Sequence, residues 1–331
     1  MPRVHPRRYL VAVTAFAVLA GGALLSLALG EIRIPVRDVV EALGGTLDPE
    51  NLAREIVIAL RLPRVVTAIA VGAALGAAGA VLQGALTNPL AAPDVIGVTG
   101  GAGFGAMLVI LVFPASIALQ PVLALAGGLC AAGLVLLVAW TGARAGGVPR
   151  IILAGIAVGS LFTAATAALL AVFPDQAAAG VSFLAGRLQF EGWETLRIAW
   201  PYVVAGLLAA IVLIRPLDRL ALGDDVARSL GTRPRLVRFV AVATAAVLAA
   251  AAAAMAGLLG FVGLIVPHVV RLAGRTSAFG FVIPASAVAG AALLVTADLL
   301  ARTVAPIELP VGPLVIAVGV PLFLWLLQRD V

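Results

Sequence analysis

The chain has 331 residues, of which 63% are hydrophobic and 11% charged, with a formal net charge of +6; an ordinary soluble domain is roughly 45–50% apolar and about 25% charged. That much apolar surface excludes a water-soluble globule. All 22 basic residues are arginine, and without a lysine to reach the transferred phosphates a nucleotide-binding P-loop on this chain is excluded as well.

The apolar residues fall in runs of about 20, long enough at about 1.5 Å per helical residue to cross a hydrocarbon core of roughly 30 Å. Barrel strands would alternate apolar and polar positions over about ten residues, whereas Val240–Met255 is apolar on every face. The pattern therefore predicts an all-α polytopic membrane protein. In chain order the expected spans are Tyr9–Leu29, Pro63–Leu82, Val95–Phe113, Ile117–Trp140, Ile151–Phe173, Leu196–Ile214, Leu236–Ala256, Leu259–Ala273, Phe281–Ala301 and Val311–Gln328. The first follows Arg3, Arg7 and Arg8 like a signal peptide, but its apolar stretch exceeds the usual h-region of about 7–15 residues, so it is retained as a span. The eighth is short and interrupted by Pro267. Residues Leu236 to Val270 also read as one tilted helix plus a re-entrant piece, so pattern alone gives nine or ten crossings. Abundant glycine and alanine suit close helix packing in lipid. Cys130 reads as a small buried residue with no partner for a disulfide or metal site.

Ten spans put both termini on one side. With that side cytoplasmic, the inner segments hold 14 of the 22 arginines, including Arg144 and Arg329, against five acids, Asp94, Asp218, Asp224, Asp225 and Asp330. The inner side then carries +9 and the remainder −3, the bias expected of cytoplasmic loops. The reading is one transmembrane domain, 1–331, in a bacterial cytoplasmic (inner) membrane. It has an external segment at 31–61, a second external, amphipathic segment at 174–195 carrying Arg187 and Glu191, and a charged cytoplasmic loop at 215–235.

Five stretches carry a resemblance: RLPR at Arg61–Arg64, the glutamine and NPLA within Gln83–Ala91, LGDDVARSLG at Leu222–Gly231, GFVGLIVPHVVR at Gly260–Arg271, and ADLLAR…ELPVG at Ala297–Gly312. In order and spacing the sequence resembles the FecCD-type permeases of ABC importers, which move iron-siderophores, haem or cobalamin. The resemblance implies ten helices per subunit in a homodimer, two cytoplasmic ATP-hydrolysing subunits, an extracytoplasmic substrate-binding protein, a metal-chelate substrate, no cofactor on this chain and no nucleic acid among its partners. Import of a ferric siderophore is the leading expectation, with haem or cobalamin as the alternative.

Read from the residues, Pro63 suits a first helical turn, because its missing N–H needed no partner. Arg61 and Arg64 at that end do not complement the helix dipole; they answer an external carboxylate or snorkel to the interface. The resemblance implies that they and Arg302 meet acids of the binding protein. Asn88 and Pro89, following Gln83, read as a helix stop with backbone-bonding capacity, or as a substrate contact. Gly263, Pro267, His268 and Arg271 belong to the fourth stretch. One histidine without nearby ligands makes no typical zinc site, so His268 reads as packing. Asp298, costly inside a membrane helix unless paired, has Arg302 one turn on; Glu308, Pro310 and Gly312 follow in the same stretch.

In the cytoplasmic loop, Gly223 allows a sharp turn and Asp224 and Asp225 suit the N-terminus of a short helix that stops at Gly231. Leu222, Val226, Ala227 and Leu230 then form a stripe too short to be stable alone. The resemblance implies an ATPase-coupling element spanning Leu220 to Gly231, with Arg228 among its charges. An ion-driven transporter would carry more ionisable groups near the midplane, and a structural scaffold would not need the charged loop.

Overall fold

The structure, a computed structural model, describes residues 6–48, 50–141, 147–186, 188, 193–305 and 307–328. Arg3, Arg144, Arg187, Glu191, Arg329 and Asp330, used in the charge and segment readings, lie outside the described residues. The described chain is helical, without a strand. Among the described residues, seven helical runs are long and apolar enough to cross a bilayer: Pro6–Ala28 (α1), Leu52–Ala85 (α3), Pro114–Trp140, Val148–Val172 (α6), Glu194–Val212 (α8), Pro234–Ala256 (α11) and Phe279–Thr303 (α13). Three shorter apolar helices, Val98–Val112 (α4), Val262–Gly274 (α12) and Val311–Leu327 (α14), occupy the remaining expected positions. Gln120–Trp140 is α5, and the connecting helices are Val36–Leu43 (α2), Ala177–Leu184 (α7), Ile214–Leu220 (α9) and Asp224–Ser229 (α10).

Helices α3 and α11 form the centre: 78% of their most apolar window is buried, against 17% for α1. The reason is side-chain size. The run Ala249–Ala254 in α11 and the Gly72, Gly76 and Gly79 series in α3 let backbones approach, and dispersion between close backbones substitutes for the hydrophobic drive that lipid does not supply. A Cβ built on Gly79 would lie 1.8 Å from the Gly263 carbonyl oxygen, so α3 and α12 meet backbone to backbone there.

Two sequence expectations change. Pro63 does not open a helix, because α3 starts at Leu52 and passes through a π-helical stretch at Ile56–Arg61. There Leu62 N–H reaches the carbonyl of Val57, five residues back, and this wider turn accommodates a proline ring that would clash in a regular helix. Cys130 lies on the exposed face of α5 rather than inside.

The bundle has two distinct ends. Tyr9 of α1 and Phe281 of α13 line one cavity near the start of both helices, while at their other ends Arg302 donates to Ser26 Oγ. α1 and α13 are therefore parallel. The first end also carries α9 and α10, since Phe279 N–H donates to Asp218 Oδ1 at 2.8 Å. The distal end carries residues 30–48, 50–61, 302–305 and 307–310.

Candidate functional site

At the distal end, side chains from α3 and α13 build a charged cluster. Arg64 is one turn beyond the π-helical stretch, and its Nη2 and Nε donate to Asp298 Oδ1 at 2.8 and 3.0 Å. Arg64 Nη2 also donates to Glu308, and Arg302 Nε lies 3.2 Å from Asp298 Oδ2. Asp298 is 1% exposed, Arg64 10% and Arg302 12%. The i,i+4 pair expected of Asp298 and Arg302 is present, but the bidentate partner is Arg64, 234 residues away in sequence, which helical spacing could not indicate. Arg61 is also buried and, among the described residues, pairs with no carboxylate: it donates to the backbone carbonyls of Leu27 and Ile32. A cavity of about 600 Å³ opens above the cluster, lined by Glu31, Arg33, Arg61, Arg64, Arg302 and Glu308 among others. Pro310 leads into α14, and Gly312 N–H donates to the Gly186 carbonyl at 3.1 Å, tying this end to the segment after α7.

Deeper in the bundle, Gln83 links α3 to α12. Its Nε2 donates to the Leu264 carbonyl at 3.1 Å and, more weakly, to that of Gly263 at 3.4 Å; Arg271 donates to its Oε1. Pro267 has no N–H for the Gly263 carbonyl four residues back, so Gln83 serves an acceptor that the helix leaves open. Arg271 also lies over the Phe279 ring, 5.7 Å from its centroid. His268 packs edge-on against Phe323 at 6.0 Å. Asn88 closes a local turn, its Oδ1 accepting from Leu90 N–H at 2.9 Å, and Pro89 is exposed inside that turn. Asp94, counted from sequence among the loop acids, instead bonds the backbone of Phe261 and the Thr99 side chain beside the start of α12. Among the described residues no group of three His, Cys, Asp or Glu is placed to hold a metal.

At the first end, Leu220 is fully buried and anchors α9. Gly223 turns the chain at φ 97°, a conformation that glycine adopts without strain. Asp224 and Asp225 stand in the first turn of α10, as expected, and Asp224 in addition forms an ion pair: Arg238 donates to its two oxygens at 2.9 and 2.7 Å and to the Ala85 carbonyl at 3.1 Å. The hydrogen bonds from Arg238 hold the Asp224 carboxyl below the usual carboxylate range, against a smaller opposing effect of burial. Arg238 thus joins α10, α11 and the end of α3. It was missed from sequence, although an arginine one turn into an apolar helix is itself a sign of a required anion. Asp225 pairs locally with Arg228 at 2.5 Å, and Gly231 ends the element at φ 76°. The stripe divides: Ala227 is buried, while Leu222, Val226 and Leu230 are 60%, 45% and 49% exposed.

A model of the FecCD transport family matches residues 18–329. The Fe(3+)-citrate import system permease protein YfmE of Bacillus subtilis (strain 168) is 37% identical over 98% of this chain and 96% of its own. The Fe(3+) dicitrate transport system permease protein FecD of Escherichia coli (strain K12) is 38% identical over 94% and 96%. The hemin transport system permease protein HmuU of Yersinia pestis is 35% identical over 82% of each chain. A solved metal-chelate type ABC transporter in an inward-facing conformation superposes with a TM-score of 0.83 at 26% identity, over 97% of this chain and 99% of that one. With a family match and several relatives spanning nearly its whole length, the chain belongs to the FecCD transport family.

Proposed function

We propose that this chain is the membrane-spanning permease subunit of an ATP-binding-cassette importer that carries a ferric chelate of the citrate or siderophore class into the cytoplasm. The observation that carries the mechanism is the exposed apolar trio of Val226 on a six-residue helix and Leu222 and Leu230 at its two flanks, the helix being pinned to the bundle by Asp224 and Arg238. So short a helix has no stability of its own. Fastened to α11, it moves with the bundle and offers its apolar side to an ATPase subunit, where nucleotide hydrolysis takes place. The permease relatives named for iron citrate support the substrate class.

Ten crossings, a homodimer with the passage at its axis and both termini cytoplasmic complete the reading. Support for the sidedness comes from the arginine bias of the end that bears α9 and α10. The distal arginine cluster then faces outward and attracts acidic side chains of a substrate-binding protein. Because Arg61, Arg64 and Arg302 are already bonded internally, their contribution is a surplus of positive potential at the cavity mouth, to which Arg33 adds.

The test is reconstitution in vesicles with a P-loop ATPase and a binding protein encoded beside this gene. Uptake of ferric citrate or a ferric siderophore that requires both ATP and the binding protein supports the proposal. Uptake driven by an ion gradient without ATP contradicts it.

A further inference from the structure

Two cavities of about 420 Å³ each lie between α1 and α13 and share Tyr9, Ala12 and Phe281, so they form one groove along the surface of the bundle. Its walls are one face of each helix: Tyr9, Val13 and Phe16 from α1, and Phe281, Pro284 and Val288 from α13. From Tyr9 to Phe16 the groove runs roughly 10 Å at about 1.5 Å per residue. Tyr9 and Phe16 are 70% and 64% exposed, and α1 is the least buried of the long helices, so this apolar furrow opens outward from the bundle.

Only one end of the groove is charged. Arg8 lines it there beside Ala278 and Gly280, at the positive end of the α13 dipole. Arg8 is part-exposed, and its Nε has no hydrogen-bond partner among the described residues, so its charge is left to meet an anion from outside the described chain. Arg7 and Arg275, the latter three residues before Ala278, are exposed at this end. Asp218, the nearby acid, already accepts from Phe279 N–H. Apolar walls for a chain and an unmatched cationic end for an anion are the two halves of an amphiphile's complement.

We propose that this groove binds one anionic phospholipid, with an acyl chain between α1 and α13 and the phosphate on Arg8. Free phosphate fits less well, because it leaves the furrow empty. Placing the lipid in the cytoplasmic leaflet rests on the sidedness proposed above. The site itself does not, and binding is measured in detergent, independent of transport.

The experiment is native mass spectrometry of the purified chain titrated with phosphatidylglycerol and, separately, phosphatidylcholine. The expected result is one retained phosphatidylglycerol per chain in preference to phosphatidylcholine, with the preference falling as ionic strength rises. Arg8→Gln weakens phosphatidylglycerol binding about tenfold, the scale of one charge-assisted hydrogen bond, and abolishes the preference; Arg8→Lys keeps it. Ala12→Phe fills the groove at a surface position and removes the bound lipid while thermal unfolding stays parental. Equal retention of both lipids by the parent chain overturns the proposal, as does an unchanged preference in Arg8→Gln, undiminished binding in Ala12→Phe, or a second polypeptide occupying the groove to the exclusion of lipid.

Discussion

Arg64 and Asp298 form a bidentate ion pair between α3 and α13, with hydrogen bonds of 2.8 and 3.0 Å to Asp298 Oδ1, and Asp298 is almost entirely buried. The pair joins the central helix α3 to α13 at the end where α3 has passed through its π turn. Removing Asp298 leaves Arg64 and Arg302 facing one another with only Glu308 between them. Asp298→Ala is therefore expected to destabilise the protein by about 3–5 kcal/mol, the usual cost of stripping one partner from a buried pair. Adding Arg64→Met to that variant should recover part of the loss. Thermal unfolding in detergent measures both, and an Asp298→Ala protein as stable as the parent would show that the pair contributes nothing.

The same cluster defines the docking prediction. Arg33 is exposed at the cavity mouth and forms none of the internal bonds that hold Arg61, Arg64 and Arg302. Arg33→Ala should leave unfolding unchanged, weaken the binding protein by about 0.2–1 kcal/mol and reduce the salt dependence of its association. Arg61→Ala should weaken docking and also lower stability, because the carbonyls of Leu27 and Ile32 lose their donor. Binding measured across a salt series, alongside thermal unfolding of each variant, separates the two effects. Salt dependence identical to the parent in both variants would remove this face from docking.

Asp224 gives a pH dependence whose sign follows from its partner. Its folded-state carboxyl sits below the ordinary value because Arg238 hydrogen-bonds the ionised form. The contribution is thus fully present above the unfolded carboxylate value of about 3.9 and is lost as pH falls through the depressed folded value. Hydrogen exchange of the 224–232 amides should show Asp224→Asn less protected than the parent at pH 7, with the difference vanishing in acid. A difference that grows as pH falls would contradict the assignment.

Backbone contact between α3 and α12 leaves no room for a methyl group at Gly79, where a Cβ would fall 1.8 Å from the Gly263 carbonyl oxygen. Gly79→Ala must push the two helices apart, and the Gln83 bonds to Gly263 and Leu264 with them. Its yield of folded protein should drop sharply, whereas Gly21→Ala, with nothing within 4 Å of its Cβ, should be neutral. Size-exclusion profiles of the two variants in detergent provide the comparison; equal monodisperse recovery would show that the contact is not limiting.

Helix positions were legible because the lipid-spanning requirement writes length and apolarity directly into the chain. Val240–Met255 needs no structure to be recognised as a span, and it falls within α11. What could not be read was how distant charges meet. Arg302 announces Asp298 by spacing, but Arg64 and Asp298 are neighbours only because Gly72 and Gly290 bring α3 and α13 together. The same holds for Arg238 and Asp224, and for Gln83 serving the carbonyl released by Pro267. The stripe at 222–230 was visible as composition, yet only the backbone path separates buried Ala227 from exposed Val226 and Leu230.

Whether α10 passes motion between this bundle and an ATPase is decided by Val226→Asp combined with Leu230→Asp. Both side chains are exposed, so the bundle should fold normally, while carboxylates forced into an apolar contact would weaken or uncouple it. The measurement is the ratio of substrate taken up to ATP hydrolysed in vesicles containing the complete importer and its binding protein. Uptake per ATP is expected to collapse, or the ATPase no longer to co-purify. Transport at the parental ratio with normal ATPase co-purification would show that α10 is not the transmission element.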